Sequence, residues 1–349
     1  MKPLLADQKP VLNDEDLESI RHQLGNSIEQ LQGAHLFITG GTGFFGRWLV
    51  ESFLHFKKAH GLDARLTILS RDPEGFLASA PHLASDCLSF VQGDIRSFVF
   101  PNCKFTHVIH AATDASDRLN SEDPLKMFDV IVNGTRRILD FASQSSAKRL
   151  LFVSSGAVYG PQPPEVRNTS EEMFFGFAPN FPNNAYAEGK RAAEFLCSVY
   201  ARNFNIAIPI ARCFAFVGPH LPLDAHFAIG NFINDRIHAR AIRVAGDGTA
   251  LRSYLYASDM ATWLWKILLQ GESGQAYNVG SSDSISIRDL AMTIAIPAGL
   301  EVKIGSPTYP SKPGNQYVPS VQRAVEELGC KVNVPLDQAI SRTIEFNTR

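Results

Sequence analysis

Cysteine is sparse in this chain and poorly arranged for cross-linking. The five cysteines, Cys87, Cys103, Cys197, Cys213 and Cys330, are scattered, odd in number and free of Cys-x-x-Cys spacing. That excludes a disulfide framework and a cysteine zinc site, and it fits a reducing, cytoplasmic setting. No stretch is long and apolar enough to span a bilayer. Residues 1–32 carry Asp7, Asp14, Glu15, Asp16 and Glu18 without the apolar segment of a signal peptide or membrane anchor. An excess of either charge is missing too: the formal net charge of -2 gives no electrostatic case for nucleic acid or an anionic membrane as partner. Any anionic ligand must be held by local groups. There is no internal repeat and no low-complexity tract. His110, His220 and His226 match no metal-ligand spacing, so no metal is expected.

What is present is an alternation of short apolar strands with helical stretches. Hydrophobic residues make up 45% and charged ones 19% of 349 residues, which suits one large globular α/β domain with a smaller companion. His35 to Thr39, Leu66 to Leu69, His107 to His110, Leu150 to Ser154, Ile206 to Ile210 and Ala276 to Val279 read as strands. Strand alternating with helix predicts a Rossmann-like, doubly wound parallel sheet. Upstream, Leu17, Ile20, Leu24, Ile28 and Leu31 recur at three- and four-residue spacing, which predicts an amphipathic helix from Asp14 to Leu31. From about Gly218 onward Pro and Gly become frequent in irregular segments, a pattern that suits a smaller lobe built from discontinuous pieces.

Gly40-Gly41-Thr42-Gly43-Phe44-Phe45-Gly46 follows the first strand and opens a helix through Trp48, Leu49, Val50 and Phe53. The spacing Gly-x-x-Gly-x-x-Gly serves a tight turn, close approach of backbone amides to a pyrophosphate, and close helix-to-sheet packing, with the helix N-terminus facing the anion. Farther on, Ser155 closes an apolar strand, and Tyr186 and Lys190 stand one helical turn apart. On a shared helix face the ammonium is expected to lower the phenol's pKa, so that it exchanges a proton with a substrate hydroxyl near neutral pH. Neither group carries a hydride; the glycine loop offers a place for a cofactor that does.

The order glycine loop, strand ending in Ser, then Tyr-x-x-x-Lys resembles the short-chain dehydrogenase/reductase superfamily, specifically its extended branch of nucleotide-sugar epimerases and dehydratases, over about residues 34 to 349. The resemblance implies catalytic roles for Ser155, Tyr186 and Lys190, the last also binding the nicotinamide ribose. It implies cofactor contacts from Gly40, Thr42, Gly43, Phe44, Phe45 and Gly46, from Asp94 (to the adenine amine) and Ile95, from Ala111, Ala112 and Thr113, and from Tyr186 and Lys190. The second strand ends Leu69-Ser70-Arg71-Asp72, where an NAD-selective site usually presents a carboxylate. Ser70 stands at that position and Arg71 can pair with a 2'-phosphate, so the cofactor is NAD or NADP with a lean to NADP; Asp72 is the competing carboxylate. Substrate contacts are expected from Ser155, Phe214, Asn231 and Arg252, the last a bidentate diphosphate ligand unless it pairs with Asp259. The expected division is a helical extension at 1–33, a mainly NAD(P)-binding Rossmann domain at 34–217 and a mainly substrate-binding lobe at 218–349, with 275–280 returning to the sheet.

Departures from the family pattern narrow the chemistry. Ile131 stands where the family's Asn-x-x-Gly-Thr has asparagine, Ala215 replaces the asparagine of Arg-x-Phe-Asn-x-Tyr-Gly-Pro, and the N-terminal extension is additional. After Ser155 the 4,6-dehydratases carry Asp and Glu, and decarboxylases tend to keep a Glu at the second site; here stand Gly156 and Ala157, which transfer no proton. Tyr186-Ala187-Glu188-Gly189-Lys190-Arg191 nonetheless resembles the decarboxylases' tyrosine motif. The expectation is an NAD(P)-dependent nucleotide-sugar epimerase acting through a transient 4-keto intermediate on a nucleotide-diphosphate sugar, as a homodimer. The alternatives are an NADPH-dependent 4-ketoreductase of a 6-deoxy nucleotide sugar, then a dehydratase or decarboxylase, and outside enzymes a dinucleotide-binding regulator.

Overall fold

The computed structural model describes residues 10–112, 117–176, 181–225, 227–305 and 315–349. Thr113 and His226, both singled out above, lie outside the described residues. Parallel strands β1 (His35–Thr39), β2 (Arg65–Ser70), β3 (Leu88–Gln92), β4 (His107–His110), β5 (Arg149–Ser155) and β6 (Ile210–Cys213) form one sheet with a last strand, Ala276–Val279. Across the sheet the order is last strand, β6, β5, β4, β1, β2, β3. The order reverses between β1 and β4, which opens a crevice at their carboxyl ends, where Gly40 and Ala111 begin their loops.

Alternation along the strands divides the core in two. Ile38, Leu66, Ile68, Leu151 and Val153 point into one layer, with the helices Phe44–His60 and Ala257–Gln270. Phe37, Leu69, Val108, Leu150 and Phe152 point into the other, with the helices Pro124–Gln144 and Ala185–Asn203. Two expected boundaries shift. The strand read at Ile206 to Ile210 lies at Ile210–Cys213, because Pro209 has no N–H for the ladder; Ile206 and Ile208 still bury their side chains. The helix read from Asp14 to Leu31 ends at Leu24, where Gly25 turns with φ 50°, and resumes as a 3-10 segment, Gly25–Leu31. All five of its periodic apolar residues are buried.

That N-terminal helix is bound into the molecule from both sides. Its Asp16 is 1% exposed and accepts hydrogen bonds from the Tyr256 hydroxyl at 2.8 Å and from Arg342 Nη1 at 2.5 Å. Arg342 belongs to the helix Leu336–Thr348. The Leu12 amide donates to Glu51 Oε2, on the glycine-loop helix, at 3.1 Å. Beside the main sheet, Leu251–Arg252 pairs antiparallel with Ile285–Ser286 and parallel with Gln316–Tyr317. Among the described residues no helix is long and apolar enough to cross a membrane, and no group of His, Cys, Asp and Glu is arranged to hold a metal ion.

Candidate functional site

The glycine loop is built as its spacing requires. Gly40 has φ 73°, and a Cβ there would stand 2.6 Å from the Ala111 carbonyl group and 2.7 Å from the Ala112 amide nitrogen. A Cβ at Gly46 would stand 2.1 Å from the Gly40 oxygen, so the helix meets the loop backbone to backbone. Gly43 differs: its Cβ position meets only the Gly40 oxygen at 3.5 Å, and as N-cap of Phe44–His60 it offers no side chain to the first helical amides. Those donors, at the positive end of a helix with no side-chain cap, are a fit for a pyrophosphate. Behind the loop, His110 is 2% exposed and bonded by Thr39 Oγ1 at 2.8 Å and Thr135 Oγ1 at 3.1 Å. Burial holds it neutral, its pKa pushed down to about 3, which suits a wall better than a ligand.

At the far end of the crevice Ser70 is buried, and its Oγ accepts from the Asp72 amide at 3.1 Å. Asp72 caps the helix Pro73–Ser79 through a 2.9 Å bond from Gly75. Arg71 is exposed and its guanidinium makes no hydrogen bond among the described residues. Asp94 is held ionised by Arg96, whose Nε donates to it at 2.9 Å, so its carboxylate is already engaged. Ile95 packs over Gly134, 3.2 Å from where a Cβ would be. Ile131, in place of the family's asparagine, is 2% exposed and packs 3.2 Å from the missing Cβ of Gly189 on the tyrosine helix: a polar contact has been exchanged for helix packing.

Ser155, Tyr186 and Lys190 converge at the carboxyl end of β5. Ser155 Oγ accepts from the Ala157 amide at 3.1 Å, and the Ser155 hydroxyl lowers the pKa of the Tyr186 phenol beside it. Lys190 is 2% exposed, donates to the Val153 carbonyl at 2.8 Å and lies 6.0 Å from the centre of the Tyr186 ring. The expected lowering of the phenol's pKa is not what the geometry produces. Burial pushes Tyr186 up to about 12, with the neighbouring Ser155 hydroxyl opposing the rise, and burial pushes Lys190 down to about 8. In this state the pair favours a neutral phenol beside a weakened ammonium.

Two side chains complete the cluster. A Cβ on Gly156 would stand 2.7 Å from the tip of the Phe214 ring, so that ring fills the space beside the first residue after Ser155. Tyr317, absent from the sequence reading, brings its hydroxyl to 3.4 Å from Ser155 Oγ, and its ring centre lies 4.6 Å from that of Phe214. Tyr317 pairs in register with Arg252, which donates to the carbonyls of Leu251 and Asn315 at 2.8 Å each. Asp259, its alternative partner, is buried and bonded to Asn333 and Val334 instead. Asn231 sits exposed on the helix Ala228–Ile237, with no side-chain hydrogen bond among the described residues. Only its position in the sequence had pointed to it.

Known proteins resemble this chain along most of its length. The profile of the NAD dependent epimerase/dehydratase family matches residues 36–280. The chain is 29% identical to UDP-glucuronic acid decarboxylase 6 of Arabidopsis thaliana, with 91% of this chain and 90% of the relative covered. It is 27% identical to dTDP-D-glucose 4,6-dehydratase of Mus musculus, covering 89% and 88%. The solved UDP-glucose 4-epimerase of Thermus thermophilus, in complex with NAD, superposes with a TM-score of 0.73 at 26% identity over 90% of this chain and 99% of that one.

Proposed function

Because this chain belongs to the NAD-dependent epimerase/dehydratase family, we propose that it is a nucleotide-sugar epimerase acting through a transient 4-keto intermediate. One observation carries the choice among the family's reactions. Gly156 and Ala157 follow Ser155, and the Phe214 ring occupies the volume that an acidic side chain at position 156 would need. Elimination of water or loss of a carboxyl group calls on further acid or base groups there; oxidation and re-reduction at one carbon do not.

The nicotinamide dinucleotide supplies hydride acceptance and return when bound. Gly40, Gly43 and Gly46, with the amides opening Phe44–His60, would hold its pyrophosphate. Tyr186 in its phenolate form takes the proton of the substrate hydroxyl, becoming the neutral phenol, and gives that proton back on re-reduction, while Ser155 hydrogen-bonds the same oxygen. The Lys190 ammonium, 6.0 Å from the Tyr186 ring centre, would stabilise that phenolate against the burial that favours the neutral phenol. Arg252, with both its present acceptors being backbone carbonyls, would exchange them for a diphosphate.

A second reading, an NADPH-dependent 4-ketoreductase, draws support from the carboxyl end of β2. Asp72 is committed to capping, and the exposed Arg71 guanidinium is available to a 2'-phosphate. One experiment separates the two. The purified protein is denatured and its released dinucleotide identified by mass spectrometry, and the native protein is incubated with UDP-glucose, UDP-glucuronic acid and dTDP-glucose under NMR observation. Retained dinucleotide and a C4 epimer are expected. Protein free of dinucleotide that consumes NADPH stoichiometrically with a 4-keto sugar would establish the reductase, and release of carbon dioxide or a 4-keto-6-deoxy product would overturn both readings.

A further inference from the structure

Tyr186 is the second residue of its helix, Ala185–Asn203, and its amide has no partner within that helix. Such a donor is ordinarily satisfied by the N-cap side chain, yet Asn184 at the N-cap makes no such bond. The acceptor comes from elsewhere: Asn120 Oδ1 takes the Tyr186 amide at 2.9 Å, from 66 positions away in sequence. The same side chain donates through Nδ2 to the Asn183 carbonyl at 2.6 Å. Asn120 therefore grips the chain on both sides of the helix start. It belongs to the short helix Asp117–Glu122, on the connection that leaves β4 past Ala111 and Ala112, the backbone against which Gly40 is packed.

We propose that Asn120 is a positioning residue for the catalytic phenol: it caps the tyrosine helix from the β4 connection and so fixes Tyr186 relative to the crevice wall. The proposal rests on the reading of Tyr186 as acid and base. A phenol one residue into a helix inherits any fraying of that first turn, and misplacement by about 1 Å can lower a rate about a hundredfold. Both hydrogen-bonding groups of Asn120 are used, so isosteric replacements separate them. Asn120→Leu removes both bonds, whereas Asn120→Asp keeps an acceptor for the Tyr186 amide and loses the donor to Asn183.

The test has an arm that does not depend on turnover. Amide hydrogen exchange across residues 183–188, read by mass spectrometry, is expected to accelerate by about tenfold or more in Asn120→Leu, in line with loss of a cap, and to return close to the parent rate in Asn120→Asp. Turnover should follow the same order, with kcat lowered roughly ten- to a hundredfold in the leucine variant while KM and bound dinucleotide stay within about twofold. Unchanged exchange in Asn120→Leu overturns the proposal, as does faster exchange with an unchanged kcat, or a loss that Asp fails to rescue. Tyr186→Phe, run alongside, reports on the catalytic reading itself: if it remains active that reading falls, whereas the exchange result still decides whether Asn120 is the cap.

Discussion

Lys190 shows how a buried charge, here in a residue proposed to serve catalysis, weighs on the fold. Its pKa is lowered from 10.5 to about 8, which means that below pH 8 the folded protein must keep an ammonium poorly solvated. The sign follows directly. Between the folded value and 10.5 the unfolded chain holds the extra proton, so the stability attributable to this residue rises with pH across that window and is lost as pH falls through about 8. At neutral pH the burden is on the order of 3 kcal/mol. Lys190→Met should therefore abolish turnover without lowering thermal stability at pH 7, and its advantage over the parent should shrink from pH 8 towards pH 10; paired melting curves across that range check it. A methionine variant that melts well below the parent at pH 7 would show that the hydrogen bond to Val153 outweighs the buried charge.

Among the elements, the glycine loop was legible in the sequence because each requirement is local: three glycines at fixed spacing between a strand and a helix leave few alternatives. Gly40→Ala should forfeit dinucleotide binding and destabilise the protein by about 1–3 kcal/mol, since φ 73° and a 2.6 Å approach to Ala111 both penalise a Cβ. Denaturant unfolding and a binding titration measure the two losses separately, and an alanine variant that binds like the parent would show that the two loops can part. Ser155, Tyr186 and Lys190 were readable for a related reason, being anchored to a strand end and a helix face. The contacts that complete them were not. Tyr317 reaches Ser155 across 162 positions and Asn120 reaches Tyr186 across 66, and neither lies in a periodic or spaced pattern that would announce it. The β6 boundary was misread because Ile206 and Ile208 are as buried as strand residues while Pro209 delays the ladder. The lowered phenol pKa was expected from charge proximity alone, and burial, which sequence spacing does not express, proved the larger effect.

For the molecule as a whole, the extension ahead of the sheet is a structural member. Leu12, Leu17, Ile20, Leu24, Ile28 and Leu31 join the same core as Trp48, Phe53, Phe56 and Trp265, so the glycine-loop helix is covered from outside by the extension and from inside by the sheet. Asp16 is the polar fastening in that layer. Asp16→Ala should cost about 3 kcal/mol, because it leaves the Tyr256 hydroxyl and part of the Arg342 guanidinium without their acceptor. Urea unfolding gives the value, and a double-mutant cycle with Tyr256→Phe should be clearly non-additive. A loss below about 0.5 kcal/mol would mean that the apolar contacts alone hold the helix.

The fastening between Asp16 and Arg342 also spans 326 positions, and Asn333 Nδ2 reaches Gln23 Oε1 at 2.8 Å across 310. During synthesis, at about 5–20 residues per second, the helix Asp14–Leu24 thus emerges long before its last partners exist. Its apolar face must wait for the sheet, and its buried aspartate must wait for the final helix. The earliest of these segments to leave the ribosome is among the last to be finished, and for that interval its apolar residues lack the core that buries them, so that a chaperone can hold them.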